Sequence, residues 1–220
     1  MFNDCACGYL VFGQINHKLC VMSSTIADVY IIESLDPDDE GNGRFEGAFL
    51  SHVLRLHGKE PKYKYVRTRA EFERAIRMFA ASGYRYLHLS CHGDAEGLCT
   101  TNQEEVDYDE LAELLIPCMH EKRLFISACK MVHKDLAKAL LPSSGCFSIV
   151  GPTMNIAFTD SAVVWASVYH LAFSEDADRI TRNSLREKLK QACKLFDVEF
   201  AYFAKTRTNK RGYTDDLLAE

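Results

Sequence analysis

Two stretches of this chain carry a reactive side chain just past an apolar run: "YRYLHLSCHGDAEG", Tyr84 to Gly97, and "RLFISACKMVHKD", Arg123 to Asp135. The first run stops at Cys91-His92-Gly93 and the second at Cys129. A thiol and an imidazole are the parts of nucleophilic catalysis, the thiolate attacking and the imidazole moving protons. The thiol needs that partner, because at an ordinary pKa near 8.5 only a few per cent of it is ionised at neutral pH. A neighbouring imidazolium or a helix N-terminus favours the thiolate, and a helix is expected to begin at about His133, shortly after Cys129. Gly93 suits a close approach of backbone to a reacting carbonyl, and its N–H with that of Cys129 would form an oxyanion hole. Taken singly, His92 reads as a turn residue and Cys129 as a buried thiol at a strand end. Only their joint placement carries chemistry.

That placement requires two adjacent parallel strands, and the pattern along the chain supplies them. "DVYIIES", 28–34, is a short apolar run ending in the acidic, turn-forming "LDPDDEGNG"; it reads as a buried strand and a loop. Phe45, Phe49, Val53 and Leu56 recur at helical spacing up to Gly58, and "YKYV" follows as a strand. Thr68 with Glu71 makes a capping box before Phe72, Ile76 and Phe79, one helical face. The strand 84–90 and a short segment near 98–101 come next, then Asp107 with Glu110 as a helix start. Strands 124–128 and 146–150 flank a helix over 134–141 closed by Pro142, and helices over 160–173 and about 183–203 complete the pattern. Alternating strands and helices predict an α/β fold, a mostly parallel sheet covered on both faces, in one domain over 1–220. Residues 1–27 would add an N-terminal hairpin or extension and 204–220 a C-terminal tail. In such a sheet the ligand crevice lies at the carboxyl ends of the strands, where His92 and Cys129 both fall.

Bulk properties exclude several alternatives. The 220 residues carry a net charge of −5, with no clustered Lys and Arg beyond Lys205–Arg211, so nucleic acid is not an expected partner. No window reaches the roughly 18 apolar residues of a membrane span, and the N-terminus lacks the layout of a secretory signal, so a cytoplasmic protein is expected. Nine cysteines, an odd and scattered set, read as reduced thiols rather than a disulfide framework. No strand ends in a glycine-rich phosphate loop, which disfavours a nucleotide-handling protein. The acidic "DPDDEGNG" would repel phosphate; it could bind a cation, but a run of this kind is ordinarily solvated.

"LHLSCHG" followed by "LFISAC", with 37 positions from His92 to Cys129, resembles the CHAT domain, the caspase-like cysteine peptidases of the clan that also holds caspases, separases and gingipains. In that family one strand ends in His-Gly and a later one in Ser-Ala-Cys, here His92-Gly93 and Ser127-Ala128-Cys129. The likeness continues through "ALLPSSGCFSIVGPTMNIAFTDSAVVWASVYHLAF" and spans roughly 28–203. It implies a caspase-like fold and a regulated cysteine endopeptidase acting on a protein or peptide substrate, in bacterial defence or signalling, with no cofactor. Cys129 would be the nucleophile, His92 the acid–base, and Gly93 an oxyanion donor. The chain departs from the family in having Lys130-Met131 where caspases have x-Gly, and in lacking the fused helical repeats, so regulation is expected from an activating or inhibiting protein partner, self-cleavage or the N-terminal segment.

Other residues receive quieter assignments. Cys91 adjoins His92 but alternates onto the opposite face of its strand, under a covering helix. His88 is expected in the core. Substrate preference would lie in "GPTMNIAFTD", with Thr153 and Asn155, and in Asp160 or Asp94 facing a basic substrate side chain; Asp160 is otherwise expected to cap the helix after it. Cys5, Cys7, His17 and Cys20 have soft-ligand chemistry, but not the usual paired zinc spacing, and no metal is expected. The rival to a peptidase is a CHAT-like module that binds a partner or peptide without cleaving it.

Overall fold

The computed structural model describes residues 25–218; the expected N-terminal hairpin and the Cys5, Cys7, His17 and Cys20 set lie outside them. In chain order the elements are β1 (Ile26–Ser34), α1 (Pro37–Gly41), α2 (Glu46–Leu56), β2 (Lys62–Tyr65), α3 (Arg69–Ser82), β3 (Tyr84–Gly93), β4 (Gly97–Cys99), β5 (Glu105–Asp107) and α4 (Tyr108–Leu115). They continue with β6 (Arg123–Ser127), α5 (Lys134–Ser144), β7 (Ser148–Pro152), α6 (Phe158–Glu175), α7 (Arg182–Phe196), β8 (Phe200–Lys205) and β9 (Tyr213–Leu218).

The strands form one sheet in the order β2-β1-β3-β6-β7-β8-β9. The first five run parallel, and β8 and β9 close the far edge as antiparallel partners. Residues alternate between two apolar layers, as the two-residue period of a strand demands. Tyr30, Leu87, Cys91, Leu124, Ile126 and Ala128 pack under α3, α4 and α5. Val29, Ile31, Tyr86 and Phe125 pack under α2, α6 and α7. The register sets Ser90 of β3 opposite Ser127 of β6. His92 and Cys129 are therefore equivalent positions two residues further on, at the rim of the α2 and α6 face.

Local chemistry explains the boundaries. The capping box expected at Thr68 with Glu71 forms, and the helix start expected at Asp107 with Glu110 is a capping box as well. Five expectations are corrected. The segment after β1 is no plain loop: Asp36 accepts the Asp39 N–H and starts the short helix α1. Pro142 lies inside α5, which ends at Gly145 in the left-handed region. Asp160 does not cap α6; Ala157 holds that position, and Asp160 sits exposed in the first turn. The final helix does not run to Phe203: Asp197, at φ 53°, turns the chain, and "FAYFAK" becomes β8. Phe200 and Tyr202 enter one layer, Ala201 and Phe203 the other, so this apolar run is a strand buried on both sides. The segment expected as a tail contributes β9.

Candidate active site

Three adjacent strand ends build the rim. β1 delivers α1, β3 delivers His92 and β6 delivers Cys129, with β3 in the middle. From the β1 side, Asp39 places Oδ2 2.7 Å from His92 Nε2, and Asp36 places its Oδ2 3.5 Å away. A carboxylate only accepts, so the 2.7 Å contact puts the ring proton on Nε2 and leaves Nδ1 as the basic nitrogen. The Asp39 side chain is only 10 % exposed, and Arg44 Nη1 donates to its other oxygen at 2.7 Å, which fixes the carboxylate in the orientation the imidazole meets. Asp39 escaped the sequence analysis, where it belonged to a solvated acidic run. The only local signal for it was the Asx-type start Asp36-Pro37.

Cys129 is half-buried, and its Sγ lies 3.8 Å from the Ile156 carbonyl oxygen in the loop before α6. Cys129 Sγ makes no hydrogen bond to His92 here, its partner being the Ile156 carbonyl; free cysteine–histidine sites commonly tighten only around substrate. After Cys129 the chain turns sharply: Lys130 has φ 56°, and its N–H donates to the Met154 carbonyl. The helix α5 starts at Lys134, capped by His133. Gly93 stands where no side chain fits: a Cβ there would lie 2.9 Å from the Gly97 carbonyl oxygen and 3.1 Å from Ala128 Cβ. The two apices also share Tyr108, whose hydroxyl donates to the carbonyls of Asp94 and Met131.

The alternation argument for the rival thiol holds. Cys91 is buried in the layer under α3 and α4, and burial pushes its thiol well above the ordinary range. Burial likewise raises Cys146 to about 12 and Cys118 and Cys193 to about 11. His88 is a core residue, as expected: burial lowers its pKa to about 3, and Nδ1 pairs with the Tyr169 hydroxyl at 2.9 Å. Among the remaining candidates, Asp94 Oδ1 accepts the Glu96 and Gly97 N–H groups and shapes its own turn. The Thr153 hydroxyl donates to Glu199, and Asn155 is exposed. The structure thus brings His92, Gly93 and Cys129 to one rim and turns Thr153 toward β8.

Directly beneath the rim is a row of polar residues that sequence reasoning missed. Glu33, Ser90 and Ser127 occupy one rung of β1, β3 and β6. Glu46, in the first turn of α2, lies over that rung and accepts from Ser127 at 2.7 Å, Ser90 at 2.8 Å and Ser161 at 3.1 Å. Burial raises the Glu46 carboxyl to about 7 despite those three donors. Glu33 accepts from the Gly47 N–H and the Tyr63 hydroxyl, each at 2.7 Å, and burial raises it too. Beside Glu46 a cavity of about 460 Å³ opens between the starts of α2 and α6, walled by Phe45, Phe49, Phe158 and Ala162.

No family model and no curated sequence matches this chain. Solved structures do. A secreted C11 cysteine protease from Bacteroides thetaiotaomicron, "iotapain", superposes with a TM-score of 0.56 at 10% identity, over 83% of this chain and 67% of that one. Caspase-1 from Spodoptera frugiperda gives 0.53 at 15% identity, over 88% and 84%. The fold is caspase-like. The Arg-specific cysteine proteinase gingipain R follows at 0.52 and 12% identity over 84% of this chain, which spans 43% of that protein's length. The caspase-like expectation for the fold is met, and these neighbours are all cysteine proteases. Among the described residues, no helix is long and apolar enough to cross a membrane.

Proposed function

We propose that this caspase-like chain is a cysteine endopeptidase in which Cys129 is the nucleophile, His92 the acid–base and Asp39 the residue that positions His92. The observation that carries the reading is the order of groups across three neighbouring strand ends, Asp39 on His92 Nε2 at 2.7 Å and Cys129 on the opposite flank. His92 Nδ1 takes the Cys129 proton, and the thiolate attacks the scissile carbonyl to give a tetrahedral oxyanion. The N–H groups of Gly93 and Cys129 receive that oxyanion. The imidazolium returns its proton to the leaving amine, and a thioester remains on Cys129. Water, deprotonated by His92, hydrolyses the thioester and restores the thiol.

The cavity beside Glu46 is the pocket for a substrate side chain, because it opens next to the loop whose Ile156 carbonyl meets Cys129. Its aromatic walls suit a side chain with a long apolar stem. Asp160, exposed in the same turn of α6 that lines this cavity, is the acid that would meet a basic head; Asn155 stands exposed in the loop before α6, while Thr153 is tied to Glu199 and Asp94 to its own turn. The CHAT resemblance adds processing of one or a few protein partners in bacterial defence or signalling under a separate activating or inhibiting partner.

The test is mass spectrometry of the protein after peptidyl acyloxymethyl ketone probes carrying a basic or an apolar terminal residue. Labelling at Cys129 that Cys129→Ala and His92→Ala both abolish is expected. No labelling of the folded protein by any probe would favour a non-cleaving binding module, and labelling at Cys91 would reassign the nucleophile.

A further inference from the structure

Asp36, Asp39 and His92 form a donor set, each offering one ligand atom, with all three atoms within 4.8 Å of one another. The set is more than an acidic cluster, because its centre is an imidazole nitrogen. His92 Nε2 lies 2.7 Å from Asp39 Oδ2 and 3.5 Å from Asp36 Oδ2. A tetrahedral ion with bonds of about 2.0–2.1 Å holds its ligands about 3.3 Å apart, so the donors need only small side-chain movements to receive one. The second oxygen of Asp39 stays with Arg44, which leaves Oδ2 as a single-oxygen ligand. Access is open: the side chains of His92 and Asp36 are 41% and 38% exposed, and a cavity of about 430 Å³ adjoins His92.

We propose that His92 Nε2 and the carboxylates of Asp36 and Asp39 form an inhibitory site for Zn²⁺. One nitrogen and two carboxylate oxygens with a fourth position for water suit that ion. They do not suit Ca²⁺ or Mg²⁺, which take sets of six or more oxygens. Binding shifts the neutral ring's single proton from Nε2 to Nδ1 with none released; only a ring that starts as imidazolium gives one proton to solvent. The metallated ring therefore carries its one proton on Nδ1. That nitrogen then has no lone pair for the Cys129 proton, and the Asp39 contact that orients the ring is spent on the metal. The inhibitory consequence rests on the peptidase reading; the binding itself does not.

Binding is therefore tested first in the full-length Cys129→Ala protein, by Zn²⁺ titration calorimetry in two buffers of different ionisation enthalpy. The comparison adds Asp36→Asn or His92→Ala to that background. Asn keeps the α1 cap, so Asp36→Asn removes a ligand without removing the turn. Expected is one Zn²⁺ equivalent, lost in His92→Ala and weakened at least tenfold by Asp36→Asn. Millimolar Ca²⁺ and Mg²⁺ should not compete. Equal stoichiometry and affinity in all three proteins would overturn the site, whatever the protein's activity. In protein with a native Cys129, Zn²⁺ inhibition reversed by chelation should need at least tenfold more Zn²⁺ in Asp36→Asn than in wild type, each read as a fraction of its own metal-free rate. Inhibition of equal potency in both would place the ion on the Cys129 thiol and overturn the proposal.

Discussion

The rim and the row beneath it use the same three strands, two residues apart, and treat carboxylates in opposite ways. In the lower row Glu33 and Glu46 are dry and meet neutral donors: Ser90, Ser127, Ser161, Tyr63 and a backbone N–H. In the rim Asp39 meets an imidazole and a guanidinium, and Asp36 is open to water. A buried acid held by hydroxyls fixes the strand ends relative to α2 and α6, and its protonation reports on folding. An acid at the rim, held in place by Arg44, acts on a neighbouring ring. The difference lies in the surroundings, since the residue types are nearly the same.

That contrast is broken most severely at Cys129. Cys129→Ala should abolish peptide hydrolysis while leaving the thermal midpoint almost unchanged, because the residue is half-buried at a turn; Cys91→Ala should do the reverse, costing about 1 kcal/mol of stability with activity kept, as measured by urea unfolding and probe turnover. Next in size, Asp39→Asn should lower kcat by roughly 10- to 100-fold with KM held, and Asp39→Glu should recover part of it. A residue that only supported the fold would lower the thermal midpoint rather than divide kcat from KM.

In the lower row the expected effect is on stability. The folded Glu46 holds its proton up to about pH 7, whereas the unfolded chain releases it near 4.5. The folded state thus binds more protons between those values, and stability falls as pH rises from about 4.5 to 7, then levels off. Glu46→Gln removes that dependence, so its stability relative to wild type should improve by on the order of 2–3 kcal/mol between pH 5 and pH 8 in urea titrations. An unchanged difference would show Glu46 ionised throughout. The smallest effect belongs to Lys130: its left-handed backbone should accept Gly within about 0.5 kcal/mol, while Val should cost about 1–2 kcal/mol, both read from unfolding midpoints.

Much of the site was legible because strand alternation is local. The parity of positions along "YRYLHLSCHG" already set Cys91 and His92 on opposite faces, and the register of β3 with β6 then put Cys129 on the face of His92. The capping boxes at Thr68 and Asp107 were equally local. The helix expected through Phe203 shows the limit of such reasoning. "FAYFAK" is apolar in every register, and only the space between β7 and β9 makes it a strand.

The sequence by itself therefore determined the alternating α/β order, the two strand ends and the opposite facing of Cys91 and His92, because these depend on periods of two and 3.6 residues. Tertiary structure alone decided that Asp39 meets His92 across 53 positions of chain and that Glu46 gathers Ser90, Ser127 and Ser161. Those contacts depend on the lateral order β1-β3-β6 and on the angle at which α1 and α2 leave β1. Residue spacing along a chain carries no record of which strands lie side by side, and an acidic run reads as solvated until a neighbouring strand end is folded against it.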